Sequence, residues 1–365
     1  MSTALDEPTT DTAVVTPSLT AWQRIPRHAK VRLGWIIGGT LGAVIAFLAF
    51  CAWQGADPLG VPSAMLSTAL LDPGALGQTL TYAVPIGFAA LAVAIPARGG
   101  LVNVGGEGQL IVGAVAGTGL ALAIGEAVAG PLGIVISLAA GAAAGAAWAG
   151  LCGFLRVKLN TAEAVTTLLM NFIANAMLNF LIYQPWKDPH GSGQPQSRPI
   201  DGALRLPGLF DATTITWAVP LLAAAGIVLW LALAKTGWGF ALSVAGANPV
   251  AASRQGLSNQ RLMLQAMLVG GAMAGLGGAL NILGVEGQLR PGITAGLGYV
   301  GFLACFVANS RPLRVVLISI GFAAIAMSGN GLQISEGLDG NVVNVALGLI
   351  VLAVLIIGGS RRSNS

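Results

Sequence analysis

The sequence contains very few charged residues. Asp, Glu, Lys and Arg make up 9% of its 365 residues, against about 25% in an ordinary soluble domain. Hydrophobic residues account for 55% of the chain, and the mean hydropathy is +0.78. Because so few charged side chains cannot cover the surface of a water-soluble protein of this length, the composition excludes a soluble globular domain. It indicates a protein that folds in a lipid bilayer.

Cysteine and histidine are scarce as well. The two histidines, His28 and His190, cannot form a zinc motif of the His-Glu-x-x-His type, so no metal-binding residue is expected. The cysteines lie too far apart for a disulfide framework, and each is placed in an apolar run that predicts a buried thiol. They are Cys51, Cys152 and Cys305.

Motifs of nucleotide-binding and catalytic sites are also missing. No Gly-x4-Gly-Lys-Ser/Thr loop occurs in the sequence. Even the closest tract, around Lys235, has no glycine before the lysine. The apolar runs hold neither a Ser/His/Asp set nor a pair of carboxylates. We therefore expect no catalytic residue, no cofactor bound by this chain and no enzymatic activity.

Ten apolar stretches follow a polar N-terminal segment. Most are near the roughly 20 residues that a helix needs to cross a bilayer, and the third, eighth and ninth are shorter, which predicts broken, tilted or re-entrant helices. The fold class is thus an all-α polytopic membrane bundle of about ten transmembrane spans. The stretches are residues 33–53, 76–97, 109–124, 131–155, 162–183, 214–234, 262–284, 296–308, 313–327 and 342–357.

Basic residues predict which side of the membrane each connection faces, since Lys and Arg accumulate in short cytoplasmic loops. With the N-terminus inside, 14 of the 18 basic residues fall on the cytoplasmic side, so both termini are predicted to be cytoplasmic. Their scatter between apolar runs also argues against a nucleic acid partner. The four on the outside are Lys187, Arg198, Arg205 and Arg290.

This topology divides the chain into one membrane domain and its connections. Residues 33–358 form the predicted transmembrane domain, and residues 1–32 and 359–365 are cytoplasmic tails, the first of them polar and disordered over most of its length. The connection 184–213, rich in Pro, Gly and Asp, is the largest external feature. Residues 235–261 form a cytoplasmic loop.

Glycine is abundant, with 52 residues, and small residues allow helix backbones to approach closely in lipid. Gly141 and Gly145 in the fourth stretch repeat at four-residue spacing, as do Gly271 and Gly275 in the seventh. This spacing predicts two closely packed helix faces.

The glycine-rich, polar segment 99–109 precedes the third stretch. Its backbone cannot face lipid, because glycine interrupts a helix and the polar side chains of Asn103, Glu107 and Gln109 need partners or water. A helix that starts near Gln109 would direct free N–H groups at the segment and stabilise Glu107. Two interpretations stay open: a capped loop with a carboxylate at a helix N-terminus, or part of a transport path or its gate.

A stripe of amides lies in the fifth stretch. Asn171, Asn175 and Asn179 recur at every fourth residue, which places them on one helix face, and Thr166 and Thr167 extend its polar character. Such a stripe is costly in lipid, so we expect this face to look into the bundle. It either forms interhelical hydrogen bonds or lines a polar path, and we favour the path.

The connection after the sixth stretch specifies a short helix of about two turns. Asn248 followed by Pro249 is typical of an N-cap with proline in the first turn, and Gly256 is typical of a C-terminal stop. Several of its residues suit docking on a partner better than a solvated loop, although a solvated connector is the alternative. They are Val250, Ala251 and Ala252.

These segments resemble the permease subunits of ATP-binding-cassette importers, in particular those for nucleosides and simple sugars, which are related to the branched-chain amino acid and ribose permeases. The motifs that carry the resemblance are GLVNVGGEGQLIVGA, EAVTTLLMNFIA, WKDPHGSGQPQ, GANPVAASRQGLSNQRLM and GGAMAGLGGALNILG. The resemblance implies that residues 246–256 hold the coupling helix, which sits in a groove of a cytoplasmic ATPase. The implied coupling residues are Gly246, Asn248, Pro249, Ala251, Arg254 and Gly256.

The resemblance also implies the partners and the location. A separate ATPase would hydrolyse ATP. A second, different permease would complete a heterodimer, since EGQ at 107–109 and the WKDPHGSGQPQ tract are similar to one of two permeases in nucleoside systems. An external solute-binding lipoprotein would deliver the solute near residues 184–213. The assembly would be surrounded by the lipids of a bacterial inner membrane.

The implied function is alternating access for a neutral polar solute, with nucleosides as the first expectation and a pentose or hexose as the alternative. A neutral solute needs amides and hydroxyls rather than ions, and a nucleobase also needs an aromatic ring such as that of Phe172 or Tyr183. An ion-coupled secondary transporter that works alone is the third alternative and would need buried carboxylates near the midplane. The predicted path residues are Asn103, Glu107, Gln109, Thr167, Asn171, Phe172 and Asn175.

Overall fold

The computed structural model describes residues 27–359 except residues 129, 192 and 211–213. This part of the chain is all-helical and has no β-strand, only two isolated β-bridges. Residues 1–26 and 360–365 of the predicted tails lie outside the described residues. The first described helix covers Arg27–Trp53, so residues 27–32 of the predicted tail 1–32 are helical.

Thirteen α-helices make up the described chain. Two π-helical turns, Ser67–Leu71 and Ile282–Glu286, extend the second and the tenth of them. The helices are α1 (Arg27–Trp53), α2 (Gly60–Leu66), α3 (Ala75–Arg98), α4 (Gly106–Ile124), α5 (Pro131–Leu159), α6 (Glu163–Tyr183), α7 (Ala218–Lys235), α8 (Gly237–Ala247), α9 (Pro249–Arg254), α10 (Asn259–Asn281), α11 (Leu297–Val307), α12 (Pro312–Glu336) and α13 (Val342–Gly359).

Seven of the described helices are long and apolar enough to cross a membrane: α3, α4, α5, α6, α7, α10 with its π-turn, and α12. Each of the ten predicted apolar stretches overlaps its own helix. Three of these stretches lie outside the seven long helices, in α1, α11 and α13, whose described apolar parts are shorter. The chain is therefore a multi-pass helical bundle, and the helices that meet the length requirement number seven rather than ten.

The third and ninth stretches are longer than predicted. α4 has 19 residues because it begins at Gly106, and α12 has 25 because it continues beyond Met327 to Glu336. Polar residues after Met327 do not end α12, since the hydroxyl of Ser328 donates a hydrogen bond to the Ile325 carbonyl of the same helix. The prediction that these two stretches are short is therefore wrong.

The centre of the bundle consists of α3 and α10, and α10 also packs on α4 and α5. Glycines bring α5 and α10 together. A Cβ atom on Gly145 would lie 2.3 Å from the carbonyl oxygen of Gly271, and one on Gly275 would lie 2.2 Å from that of Gly141. Because no side chain fits between these backbones, the predicted close contact of the two glycine faces is confirmed.

The helix ends gather at two opposite ends of the bundle. At the first, which we call the long-connection end, the chain between α6 and α7 packs on the end of α10. There the Ser197 N–H donates to the Leu289 carbonyl at 2.9 Å. At the second, which we call the short-helix end, α8 lies against the end of α3. A Cβ atom on Gly246 would lie 2.3 Å from the Arg98 carbonyl oxygen.

Two described helices have no counterpart among the predictions. α2 and its π-turn are too short to resemble a span. α8 lies within the predicted loop 235–261, which thus holds two helices. Its N-cap is Thr236, whose hydroxyl accepts the Gly239 N–H at 3.2 Å, and its Leu242 is fully buried. Gly237 and Gly239 interrupt the apolar spacing at the start of α8, so the sequence pattern does not indicate an apolar helix there.

Candidate functional site

The loop 99–105, which joins α3 to α4, is held by two buried amides. Asn103 and Gln109 exchange two hydrogen bonds, from Nδ2 to Oε1 at 3.2 Å and from Nε2 to Oδ1 at 3.0 Å. Asn103 also donates to the Ala92 carbonyl of α3 and accepts the Gly105 N–H. Both side chains are at most 1% exposed. The structure therefore places these two predicted path residues in the interior, where they fix the loop.

Two predicted path residues of α6 hold the same loop from the other side. Oδ1 of Asn171 accepts the Gly108 N–H at 2.8 Å, one of the N–H groups that lack a partner within the first turn of a helix. Its Nδ2 donates to the Val104 carbonyl at 3.0 Å and to the Tyr299 hydroxyl at 3.3 Å. Thr167 Oγ1 accepts the Val104 N–H at 3.1 Å. These residues form interhelical hydrogen bonds, the alternative interpretation of the amide stripe.

Glu107, in the first turn of α4, caps another helix. One oxygen of its buried carboxylate accepts the Thr294 hydroxyl and the Gly296 N–H, and the other accepts the Gly298 N–H at 2.7 Å. Gly296 is the N-cap residue of α11, so the carboxylate lies at the positive end of that helix. A Cβ atom on Gly298 would lie 2.2 Å from the Glu107 nitrogen. The starts of α4 and α11 therefore touch, and Glu107 joins them.

A small cavity lies where these elements meet. It has a volume of about 220 Å³, and we call it the amide cavity. Four of the seven predicted path residues line it, together with Tyr299. The side chain of Asn175 is exposed and makes no hydrogen bond with the described chain. The structure thus brings together Glu107, Asn171, Phe172 and Asn175 at one cavity and leaves Asn103, Gln109 and Thr167 behind it.

A second, larger cavity opens at the long-connection end, and we call it the vestibule. It has a volume of about 580 Å³ and is lined by residues from the start of α3, the approach to α7, the end of α10 and the segment before α11. Sequence reasoning missed it because no single motif contains its residues. Among them are Gln78, Tyr82, Thr216, Asn281, Glu286 and Arg290.

The two cavities share a wall. Gly292 and Ala295 line both the vestibule and the amide cavity. Both residues have positive φ angles, 67° and 43°, and the second is unusual for a residue other than glycine. The segment that carries them continues to Thr294 and Gly296, which Glu107 binds.

The predicted short helix is present as α9. The side chain of Asn248 accepts the Ala251 N–H at 3.0 Å, Pro249 is in the first turn, and Gly256 has a φ of 79° after the end of the helix. Each of these local features is as predicted. The helix lies at the short-helix end, where Asn259 Nδ2 donates to the Pro249 carbonyl.

Not all of the residues that were predicted to couple to or dock on a partner are available to one. Val250 is 60% exposed and Arg254 is exposed, whereas Ala252 is fully buried within the chain. Gly246 lies in α8, not in the short helix, and its backbone contacts the end of α3. The expectation that Ala252 faces a partner is thus wrong, because the helix uses this residue to pack on its own chain.

Among the described residues, no three His, Cys, Asp or Glu side chains are grouped so that they could hold a metal ion. The three cysteines are free and buried. Glu107 is the only buried charged side chain among the residues whose burial the structure describes, and its carboxylate is bound by three donors. The arrangement offers polar, uncharged contacts rather than reactive groups.

Comparison with known proteins identifies relatives over most of the chain. The family model of the permease component of branched-chain amino acid transport systems matches residues 75–359. The glucose ABC transporter permease protein TsgB13 of Haloferax volcanii is 30% identical over 338 residues, which cover 88% of each chain. The guanosine ABC transporter permease protein NupP of Bacillus subtilis is 31% identical over 287 residues, 76% of this chain and 80% of the relative.

The nucleoside ABC transporter permease protein NupB of Lactococcus lactis is 25% identical over 332 residues, 88% of each chain. No solved structure matches the chain at a significant level.

Proposed function

This chain belongs to the family of permease components of branched-chain amino acid transport systems, and on that premise we propose that it forms the path of a neutral polar solute through an ATP-driven importer. The first candidate for this solute is a nucleoside. As a permease of this family it is a non-catalytic, multi-pass membrane subunit that binds no cofactor itself. ATP would be used by a separate subunit.

The amide cavity is the observation that carries this proposal. The amide of Asn175 is unpaired and can bond a hydroxyl or a base edge, and the rings of Phe172 and Tyr299 offer faces for a nucleobase. The carboxylate of Glu107 already accepts three hydrogen bonds from the protein. A cavity with free amide and aromatic groups but no free charge suits a neutral solute.

A simple sugar is the second candidate. The relative with glucose in its name is about as similar to this chain as the one with guanosine in its name. An unpaired amide would bind sugar hydroxyls equally well. The aromatic rings of the amide cavity favour the nucleoside, since a flat base gains more from them than a sugar does.

The ion-coupled alternative has less support. It needs carboxylates that are free to bind a cation, and the buried carboxylate of Glu107 is engaged by backbone and hydroxyl donors. Membership of an ATP-driven permease family also argues for a partner as the energy source.

The proposed topology has ten spans with both termini in the cytoplasm of a bacterial cell, so that the protein lies in the inner membrane. The distribution of basic residues supports it, because among the residues from 37 to 355 the short-helix end carries twice as many Lys and Arg residues as the long-connection end. At the short-helix end these are Arg98, Arg156, Lys158, Lys235, Arg254, Arg261, Arg311 and Arg314, and at the other end Lys187, Arg198, Arg205 and Arg290.

The proposed partners follow from this topology. A cytoplasmic ATPase would bind α9, through the exposed side chains of Val250 and Arg254. A solute-binding lipoprotein would dock on the connection 184–213. A second, different permease would cover the outward face of α6, where Ile173 and Phe180 are more than half exposed. We propose the same domain limits as the sequence predicts, with residues 33–358 as the membrane domain.

Uptake into proteoliposomes tests the function. The chain, purified with its partner subunits, should take up labelled guanosine only with ATP and the ATPase subunit. Asn175→Leu should raise KM for guanosine by up to about tenfold, because one hydrogen bond is lost. Asn179→Leu on the same helix, outside the amide cavity, is the matched control. Uptake by this chain without the ATPase would contradict the proposal, and ATP-driven uptake of glucose alone would select the sugar.

A further inference from the structure

We infer that the vestibule is a second solute-binding site, contained within this single subunit, which holds a neutral, hydroxyl-bearing solute before it reaches the amide cavity. The inference rests on the proposed function for the identity of the solute, which is of the same class at both sites. The vestibule has a volume of about 580 Å³, which lies within the roughly 300–1,000 Å³ of typical small-molecule sites.

Two buried polar side chains line the vestibule without a protein partner. Asn281 and Thr216 are each 8% exposed. The Thr216 hydroxyl is buried and has no hydrogen-bond partner, and the Asn281 amide bonds to no group of the described chain. Because buried polar groups are nearly always paired, these two point to a polar occupant of the cavity.

The backbone beside the buried Thr216 hydroxyl carries no side chain at one position. Asn281 is the last residue of α10, and the π-turn Ile282–Glu286 follows it directly. π-helical turns are frequent at functional sites. Within this turn Gly284 has no side chain, and a Cβ atom there would lie 3.2 Å from Thr216 Oγ1. Any larger residue at position 284 would crowd the hydroxyl.

The charges at the vestibule cancel. Glu286 and Arg290 form an ion pair with an N–O distance of 2.8 Å. The other polar lining groups are amides and hydroxyls, such as those of Gln78, Tyr82 and Asn281. A site without net charge favours a neutral ligand, since an ionic one would be desolvated there without a counter-charge. The ring of Tyr82 adds a flat apolar surface for a base or a sugar face.

The position of the vestibule gives the order of the two sites. It opens at the long-connection end, where the external lipoprotein is proposed to dock, and it adjoins the amide cavity through the wall at Gly292 and Ala295. A solute that enters from this end therefore reaches Asn281 and Thr216 before it reaches Asn175.

Direct binding tests the inference. The full-length chain in lipid nanodiscs is titrated with labelled guanosine and, separately, labelled glucose. We expect one of them to bind, and Asn281→Leu and Thr216→Val each to weaken binding by about tenfold, the effect of one lost hydrogen bond. Thr118→Val is the matched control. It also removes a buried, unpaired hydroxyl but lines neither cavity. Equal binding by all variants would overturn the inference.

A second measurement does not depend on these substitutions. Met327 lines the vestibule, and the native cysteines are at most 1% exposed, so Met327→Cys creates one reactive thiol. Saturating guanosine or glucose should slow its modification by a membrane-impermeant thiol reagent at least threefold. An unchanged rate with both solutes means a cavity filled by water only and overturns the inference.

Failure of this inference and failure of the proposed function give different results. If ATP-driven uptake proceeds with unchanged KM in the Asn281→Leu and Thr216→Val variants and the thiol is not protected, the vestibule site is disproved and the transport function stands. If neither solute is taken up by the complete transporter, the transport function fails.

Discussion

The carboxylate of Glu107 in α4 accepts the backbone N–H of Gly298 in α11 at 2.7 Å, across 191 positions of sequence. Gly298 has no side chain to separate the two helix starts, and a Cβ atom there would lie 2.2 Å from the Glu107 nitrogen. The same carboxylate fixes Thr294 and Gly296, so one residue sets the position of the wall between the two cavities.

Glu107→Gln is therefore expected to destabilise the protein. The carboxamide nitrogen would face N–H donors that now bind a carboxylate, so that the free energy of unfolding falls by about 2 kcal/mol. The melting temperature of the purified chain measures this. The control is Glu336→Gln, where one exposed carboxylate oxygen accepts only the Asp57 N–H and a carboxamide oxygen can replace it. Equal melting temperatures for Glu107→Gln and the wild type would contradict the capping role.

Substitutions of Asn171 and Asn175 are expected to have different effects on the stability of the protein. Asn171→Leu leaves the Gly108 N–H and the Val104 carbonyl without their partner, which should cost about 1–3 kcal/mol of stability. Asn175→Leu removes an exposed amide that bonds to no described residue, so its stability should stay within about 0.5 kcal/mol of the wild type. Thermal unfolding of both variants side by side checks this. A loss of stability in Asn175→Leu alone would reverse the assignment.

Gly275→Ala should disrupt the packing of α5 on α10. The added Cβ atom would lie 2.2 Å from the Gly141 carbonyl oxygen, which is backbone and cannot turn aside. We expect a loss of at least about 2 kcal/mol, in the range of overpacked cores, seen as a lower melting temperature and lower yield of folded protein. Gly321→Ala in α12 is the matched control, because its Cβ atom meets nothing within 4 Å. Similar behaviour of the two variants would argue against the glycine contact.

The exposed side of α9 should bind the ATPase. Val250→Asp and Arg254→Glu are expected to reduce co-purification of the ATPase and ATP-driven uptake by tenfold or more, a change of about 1.4 kcal/mol in binding, while the chain alone melts as the wild type does. Lys158→Glu is the control, since it also reverses an exposed charge at the short-helix end, away from α9. Intact uptake in both α9 variants would remove the coupling assignment. Gly246→Asp is unsuitable as a test, because any side chain there meets the Arg98 carbonyl.

Local sequence signals predicted α9 well. The cap of Asn248, the proline after it and the positive φ of Gly256 each depend on residues only a few positions apart. The long apolar helices were predictable for the same reason, because a continuous apolar run is itself the requirement for a span.

The amide stripe shows what local sequence signals cannot predict. A spacing of four residues advances the helix by about 40° beyond a full turn, so Asn171, Asn175 and Asn179 wind around α6 rather than share one direction. Asn171 is 3% exposed, whereas Asn175 is exposed. The one-face prediction was therefore only approximate, and the partners of Asn171, which lie 63, 67 and 128 positions away, could not be read from spacing.

The vestibule was beyond sequence reasoning for a related reason. Its two unpaired side chains belong to different segments, Thr216 before α7 and Asn281 at the end of α10. Each residue alone resembles an ordinary polar residue near the end of a span. Only the packing of α3, α7 and α10 leaves both without a partner at one cavity.

The glycine at position 246 has a mechanical consequence. The backbone of α8 rests directly on residues 98–100, with no side chain between them whose rotation could absorb a displacement. α9 is joined to α8 through Asn248 alone. We therefore expect a shift of α9 that moves α8 to displace the start of loop 99–105 as well. The contact at Gly246 thus connects the helix that precedes α9 directly to the start of the loop that holds Asn103.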